Sequence, residues 1–463
     1  MKILIAPWGN PFGWKEVEYV YKGRKESDGK KLKDPLPRIK KEENPDKIII
    51  VSVDTLADTY VYGFKNPSYN DIKKCAENLI FNFCQKELGF IPDKIIISYG
   101  FGEFSKMKFL GSAMDFYYDV FKELSFFFTE LEINSKIEVI FDATHGINWT
   151  TILTYRALRE TLEILAYVYD VDLKVLNSDP FVENITSLNI NVIENVKILP
   201  RIAVYNIDKR PIEPFSSEQD MKKFGSYISN FLYNNLSYNK EEILVFLGSF
   251  YFALPVFILS YMPCSSNVKF KINEISKEFE RNIKLKNSVK LEVLRELKYT
   301  ENFANFSKAY LVSSILEKFG FGRLNDIPLS KIEELKKKVF DEKKFPIESY
   351  RISVEMGSEK EHDKRGIKGI KDRIERYYKL YFALRGGSEE KESDLTENAE
   401  KEPQIDKRNF FAHAGFEYNT IEIKKENGEI YVRIYDNNRR QAEAYITDDL
   451  PKIWKEVNYE LET

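Results

Sequence analysis

The chain has 463 residues, of which 43% are hydrophobic and 14% aromatic, with a formal net charge of −3 and a pI near 6.0. That length is too great for one ordinary core and calls for two or three domains. The charge balance excludes a protein coated in duplex nucleic acid, which carries a basic face or stripe, so any nucleic acid has to be held in a small site or channel.

The opening MKILIAPWGN reads as a strand and lacks the long apolar segment of a signal peptide. Cys75, Cys84 and Cys264 make an odd count without metal spacing, which argues against a secreted disulfide framework. The cytoplasm is the expected compartment. Abundant Lys, Glu and Ile beside scarce Gln, Cys and His hint at a thermophile.

Strand and helix patterns alternate over the first 200 residues. Lys2–Pro7 reads as a strand, and Lys15 to Asn44 as an exposed loop or hairpin with a turn at Asp28-Gly29. Lys47–Val53 is a continuous apolar run, the pattern of a strand covered on both faces. Helix Asn70–Leu88, strand Lys94–Ser98, helix Met107–Leu131, strand Lys136–Phe141, helix Trp149–Tyr169 and strands at Leu173–Leu176 and Val196–Asn206 follow. This alternation predicts a Rossmann-like parallel sheet with right-handed crossovers.

Ile207–Glu218 reads as a linker. Beyond it the pattern is mainly helical: Gln219–Leu236, Glu241–Met262, Lys271–Leu297, Asn302–Phe319, Leu329–Phe340 and Gly366–Leu384. Ile243 to Met262 carries no charge over 20 residues, long enough to cross a bilayer. Gly248, Pro255 and its hydroxyl residues favour instead a helix pair buried in a core or subunit interface. The acidic stretch 386–402 reads as a mobile loop. A short helix around Arg408, a hairpin across Asn427-Gly428 and an amphipathic helix complete the pattern.

Two constellations carry chemistry. In KRNFFAHAGFE, residues 407–417, Asn409 and His413 share a helical face, so the Asn amide is placed to hold one imidazole nitrogen. Arg408 is a planar donor for a phosphodiester, and His413 moves protons near neutral pH. Such a set suits cleavage of RNA by its own 2′-hydroxyl without a metal, leaving a 2′,3′-cyclic phosphate and a 5′-hydroxyl. One chain brings one such histidine; a dimer facing two copies together brings two. The plainer alternative is a capping or core histidine beside a surface arginine.

The second is FDATHGINW, residues 141–149, where a strand ends and a helix opens. Ligands bind at this edge of a parallel sheet. Thr144 and His145 offer donors, Gly146 allows close backbone approach, and Asn148 opens a helix N-terminus. Trp8, Gly9 and Asn10 form a second wall, and Thr55, Tyr99 and Gly100 add polar groups on the same edge, with Trp8 or Trp14 available to stack on a base. Ordinary turn chemistry accounts for the same residues equally well. The G-x-G-x-x-G fingerprint is absent.

Taken together, MKILIAPWGNP, DATHGIN and RNFFAHAGFE resemble a CRISPR-associated CARF–HEPN ribonuclease, an ancillary effector of type III systems in the Csx/Csm group. The resemblance covers nearly the whole chain in domain order. It implies a CARF-like sensor over residues 1–207 that binds cyclic oligoadenylate, foremost cyclic tetra-adenylate, across a homodimer two-fold. It also implies a helical HEPN domain over 301–463, with a small β-hairpin, whose Arg408, Asn409 and His413 cut single-stranded RNA with no cofactor or metal required. Residues 208–300 are the candidate for a helical, helix-turn-helix-like connector. A charged insertion around 345–402 departs from shorter relatives, and its basic residues Lys364, Arg365, Lys368, Lys371 and Arg373 suit either an RNA guide or a solvated helix face. A higher assembly of dimers stays open, and no membrane partner is expected. The competing function is a ligand-responsive DNA-binding regulator that never cleaves.

Overall fold

The computed structural model describes residues 1–24, 30–59, 67–183, 185–206, 209–215, 218–237, 239–357, 367–369, 377–380 and 404–451. The chain divides into two compact units. The first takes residues 1–199, 209–237 and 271–307; the second takes 200–208, 238–270 and 308–463. The stretch 208–300 therefore contributes to both.

In the first unit, β1 (Lys2–Pro7), β2 (Glu18–Tyr21), β3 (Lys47–Val53), β4 (Lys94–Ser98), β5 (Gly102–Glu103), β6 (Met107–Leu110), β7 (Lys136–Asp142), β8 (Asp170–Ser178) and β9 (Ser187–Lys197) lie among helices. These helices are α1 (Leu36–Glu43), α2 (Tyr69–Phe83), α3 (Ala113–Glu130) and α4 (Asn148–Leu165). Seven strands form one sheet in the order β2-β9-β8-β7-β1-β3-β4, parallel except for the β8–β9 pair. β1 and β3 are apolar because helices cover both faces, and Ile3, Leu4, Ile5, Ile49 and Ile50 are fully buried. The chain leaves β1 on one side through β3 and returns on the other through β7, so the loops after β1 and β7 meet at a topological switch point.

The parallel α/β reading holds, and several element readings need correction. Lys15 to Asn44 is not simply an exposed loop: β2 and α1 lie within it, and Tyr19, Tyr21 and Leu36 are buried. The helix expected from Met107 begins at Ala113, because Ser112 and Asp115 form a capping box. Before it, Met107 and Phe109 alternate inward as β6. The last strand is β9, which begins nine residues before Val196; no strand covers 198–206.

Further along come β10 (Ile212–Pro214), α5 (Glu218–Asn230), α6 (Lys240–Tyr251), α7 (Pro255–Tyr261) and α8 (Ser265–Arg281). The helix expected to reach Leu297 ends with α8, and β11 (Ile283–Asn287), β12 (Leu291–Arg295) and β13 (Leu297–Tyr299) follow. β12 pairs in parallel with β6, from Leu291↔Met107 to Leu294↔Leu110, so a distant hairpin completes a second sheet, β11-β12-β6-β5.

The remaining elements are α9 (Glu301–Lys318), β14 (Ile327–Pro328), α10 (Leu329–Val339), α11 (Pro346–Met356), β15 (Tyr378–Lys379), α12 (Lys407–Ala412), β16 (Ile421–Glu426), β17 (Glu429–Ile434) and α13 (Arg439–Asp448). The second unit is helical with one small antiparallel sheet, β14-β17-β16-β15. Its hairpin turns at Asn427 and Gly428, both at positive φ, as a two-residue loop requires. The apolar run Ile243–Met262 is the helix pair α6–α7, broken at Ala253 and Pro255 and buried in the core of this unit. Among the described residues, no helix is long and apolar enough to cross a membrane. Most of the expected helix Gly366–Leu384 lies outside the described residues, but Tyr378–Lys379 within it is a strand paired with β16. The acidic stretch 386–402 and the Asp28-Gly29 turn also lie outside them.

Candidate functional site

Asp406 caps the six-residue α12, its carboxylate accepting the Asn409 N–H at 2.8 Å. The apolar side of this helix is anchored: Phe410 is fully buried and meets Phe257 edge-on at 5.3 Å, while Phe411 packs on Phe252 at 4.7 Å. Arg408, Asn409 and His413 are exposed. The motif therefore presents its polar residues to solvent from a helix fixed by its phenylalanines.

The partner of one imidazole nitrogen comes from another helix. His413 Nδ1–H donates to Glu355 Oε1 at 2.7 Å, and Glu355 comes from α11. Asn409 binds His413 through the backbone instead, its carbonyl accepting the His413 N–H at 2.9 Å. His413 is the C-cap of α12, with φ −98 and ψ 26. Ala414 and Gly415 follow at positive φ and turn the chain away, and a Cβ on Gly415 would sit 3.4 Å from the Phe257 ring.

α11 braces α12 twice. One turn before Glu355, the Arg351 guanidinium donates to the carbonyls of Phe411 at 2.7 Å and Phe252 at 2.5 Å. Burial raises the Glu355 carboxyl above the usual carboxylate range, and His413 draws it back. α11 lies in the stretch 345–402, expected from the sequence to be a charged insertion. Its Arg351 and Glu355, four residues apart, share the face that meets α12. Of the basic run, Lys368 alone lies among the described residues, and it pairs with Glu333.

At the switch point of the first unit, the two expected walls are joined: the Gly9 N–H donates to the His145 carbonyl at 3.0 Å. Asn10 and Asn148 are exposed, and Thr144, His145 and Gly146 are half-buried at this edge. The Thr144 hydroxyl donates to Asp142 Oδ1 at 2.6 Å and accepts the Ser178 N–H at 3.1 Å. Gly146 is required by packing, since a Cβ there would fall 1.8 Å from Thr151 Oγ1.

Other residues of the expected edge lie beneath it. Trp8 is buried and packs edge-on against Trp14 and Phe83, so it has no open face for a base. The Trp14 ring already lies stacked on His145, centroids 4.0 Å apart. Thr55, Tyr99 and Gly100 are buried. Tyr99 donates to Glu280 at 3.2 Å, and Gly100 donates its N–H to Asp54 Oδ1 at 2.8 Å.

Two carboxyls that the sequence did not single out as a pair sit under the edge. Asp34 and Asp142 are both buried, and each leaves one Oδ2 unpartnered. Burial, reinforced by Asp142, pushes Asp34 well above the carboxylate range, and burial pushes Asp142 up to about 6. Burial also lowers the His145 imidazole to about 4. It is therefore neutral and accepts or donates a hydrogen bond with the Tyr19 hydroxyl at 3.0 Å. Its 4.0 Å approach to Asp34 is no ion pair.

The pH consequence follows from the sign of the shift. A carboxyl raised on folding contributes stability that is complete below its ordinary pKa of about 4 and is lost as pH rises through the folded value. Asp142→Asn, which retains the Oδ1 acceptor for Thr144, is expected to flatten the fall in unfolding free energy between about pH 4 and 7. Urea titrations at several pH values measure this; a variant profile of the same slope as that of the wild type contradicts it.

Among the described residues, no group of three or more His, Cys, Asp or Glu side chains is placed to hold a metal ion. Comparison with known proteins adds the following. The family model for "CRISPR system endoribonuclease Csx1, CARF domain" matches residues 3–180. The model for "CRISPR system endoribonuclease Csx1, HEPN domain" matches residues 267–437. The chain is 31% identical over 451 residues to the CRISPR system endoribonuclease Csx1 of Methanocaldococcus jannaschii, covering 93% of this chain and 89% of that one.

Proposed function

We propose, from the premise that the chain belongs to the Csx1 family of CRISPR endoribonucleases, that its RNA cleavage is switched on by a cyclic oligoadenylate and runs on Arg408 and His413 without a metal. Family membership makes the protein a CARF–HEPN endoribonuclease of CRISPR defence. Everything finer is the present reading.

The observation that carries it is the exposed His413 whose Nδ1 is fixed by Glu355. Held so, the imidazole offers Nε2 to a substrate. In the proposed reaction the 2′-hydroxyl of single-stranded RNA attacks its own phosphorus, and the 5′ oxygen leaves. Imidazole moves a proton at one of these oxygens, and the Arg408 guanidinium stabilises the charge gathering on the phosphoryl oxygens. The ends are a 2′,3′-cyclic phosphate and a 5′-hydroxyl. A homodimer that brings two copies of α12 together supplies one histidine for each proton transfer. Asn409 serves through its carbonyl, fixing the His413 backbone.

The sensor in this reading is the edge formed by Asn10, Thr144, His145, Gly146 and Asn148, over the buried layer of Trp8, Gly9, Thr55, Tyr99 and Gly100. Cyclic tetra-adenylate is the activator of choice. Its phosphates suit the open helix start at Asn148, and the close backbone at Gly146 admits them. Sensor 1–207 and nuclease 301–463 remain the working division, with the hairpin 283–295 completing the sensor's second sheet.

Gly146→Ala tests the sensor half. The added methyl drives Thr151 out of place and is expected to raise the cyclic tetra-adenylate concentration for half-maximal RNA cleavage by about tenfold, the equivalent of 1.4 kcal/mol. An unchanged activation curve removes Gly146 from the ligand site.

A further inference from the structure

We infer that Glu355 is a positioning residue for RNA cleavage, orienting His413 and holding its proton on Nδ1 so that Nε2 is the atom that exchanges protons with the substrate. The inference rests on the reading of His413 as the proton-transfer group and goes beyond it by assigning the group behind the imidazole.

The geometry selects Glu355. Its Oε1 lies 2.7 Å from His413 Nδ1, a distance typical of a charge-assisted bond. Its side chain is 19% exposed against 48% for His413, so the carboxylate sits behind the ring and the ring faces solvent. α11 cannot drift from α12, because Arg351 on the same helix face donates to the carbonyls of Phe411, Phe252 and Ala253. The buried Ser349, Ile352, Ser353 and Met356 pin α11 itself. An imidazole attached at a helix end would rotate about two bonds. The carboxylate removes that freedom and fixes the tautomer, as a second group does behind a catalytic or metal-bound histidine.

The charges around the pair are few. Among the described residues, His413 is the charge that acts on Glu355. Arg351 points its guanidinium at backbone carbonyls, and Glu348 acts on Arg351. Arg408 is exposed on α12, and Phe252 just after α6 and Phe257 of α7, which meet α12, are uncharged. Among the described residues, Glu355 is therefore the carboxylate placed to accept the His413 Nδ1–H.

The test compares the wild type with Glu355→Gln, His413→Ala and the double variant, each as the full chain, cutting a labelled single-stranded RNA across about pH 5 to 9, the range in which histidine titrates. Glu355→Gln is expected to lower kcat at least tenfold with KM little changed. Glu355→Asp, which keeps a carboxylate behind the ring, should recover part of that rate. The double variant should be no slower than His413→Ala alone, since Glu355 acts through the imidazole. A Glu355→Gln variant with unchanged kcat, or a double variant that falls well below His413→Ala, overturns the inference while leaving His413 in place. A purely structural glutamate would lose rate in proportion to the loss of folded protein by circular dichroism, in Glu355→Asp as in Glu355→Gln, and that result overturns the inference too. His413→Ala cutting as fast as wild type would instead remove the active-site reading itself, and this inference with it.

Discussion

His413→Ala is expected to lower RNA cleavage by about 10²–10⁴-fold, the usual worth of one general acid or base. Its unfolding midpoint should stay close to that of the wild type. The imidazole is exposed, and α12 is held by Phe410, Phe411 and the Arg351 bonds rather than by the ring. The substitution does leave Glu355 without its imidazole partner, but that side chain keeps some contact with solvent. Rate and thermal midpoint together separate chemistry from folding. Activity lost in proportion to folded protein would contradict a catalytic role.

The second large effect lies in the first unit. Asp54→Ala should cost about 3–5 kcal/mol of stability, the range for removing one partner of a fully buried ion pair. Asp54 and Arg295 are both 0% exposed and bonded at 2.6 Å. Arg295 also donates to the Gly100 carbonyl at 2.6 Å, and Asp54 accepts from the Gly100 N–H and the Tyr69 hydroxyl. This knot ties the ends of β3 and β4 to β12, which belongs to a hairpin far along the chain. Without Asp54 the guanidinium stays in the core and loses the carboxylate bonded to it. Urea unfolding followed by tryptophan fluorescence reads the loss. Asp54→Ala combined with Arg295→Met should recover part of it, because no unpaired charge then remains. A double variant less stable than Asp54→Ala would show that Arg295 stabilises through its other contacts, the Gly100 carbonyl among them, and that the stranded charge does not carry the effect.

What the sequence disclosed and what it hid follow from range. β1, β3, β4 and β7 are apolar runs because helices cover both faces of the sheet, and that pattern is local. The Asn427-Gly428 turn is local as well. By contrast, β6 looks like the start of α3 until Leu291–Leu294 is known to pair with it, and no local pattern announces such a pairing. The alternation of Ile283 and Leu285 with lysines was a usable strand signal, overridden by the helical stretch before it. The candidate sites divide the same way. RNFFAHAGFE and DATHGIN could be read because each is continuous. Glu355 stands 58 residues from His413, and Asp34 lies far along the chain from Asp142, so each partnership exists only once the chain has folded. Asn409 and His413 are neighbours in the sequence pattern, whereas the carboxylate on the imidazole comes from α11.

The central claim is that a ligand held by the α/β unit controls a histidine-based ribonuclease that needs no metal. The most direct measurement is cleavage of an end-labelled single-stranded RNA by the full chain in EDTA, with and without cyclic tetra-adenylate, with the product ends identified. The account predicts cleavage that rises sharply with the ligand, is indifferent to EDTA and leaves 2′,3′-cyclic phosphates. Cleavage abolished by EDTA, or equal with and without any cyclic oligoadenylate, would contradict it.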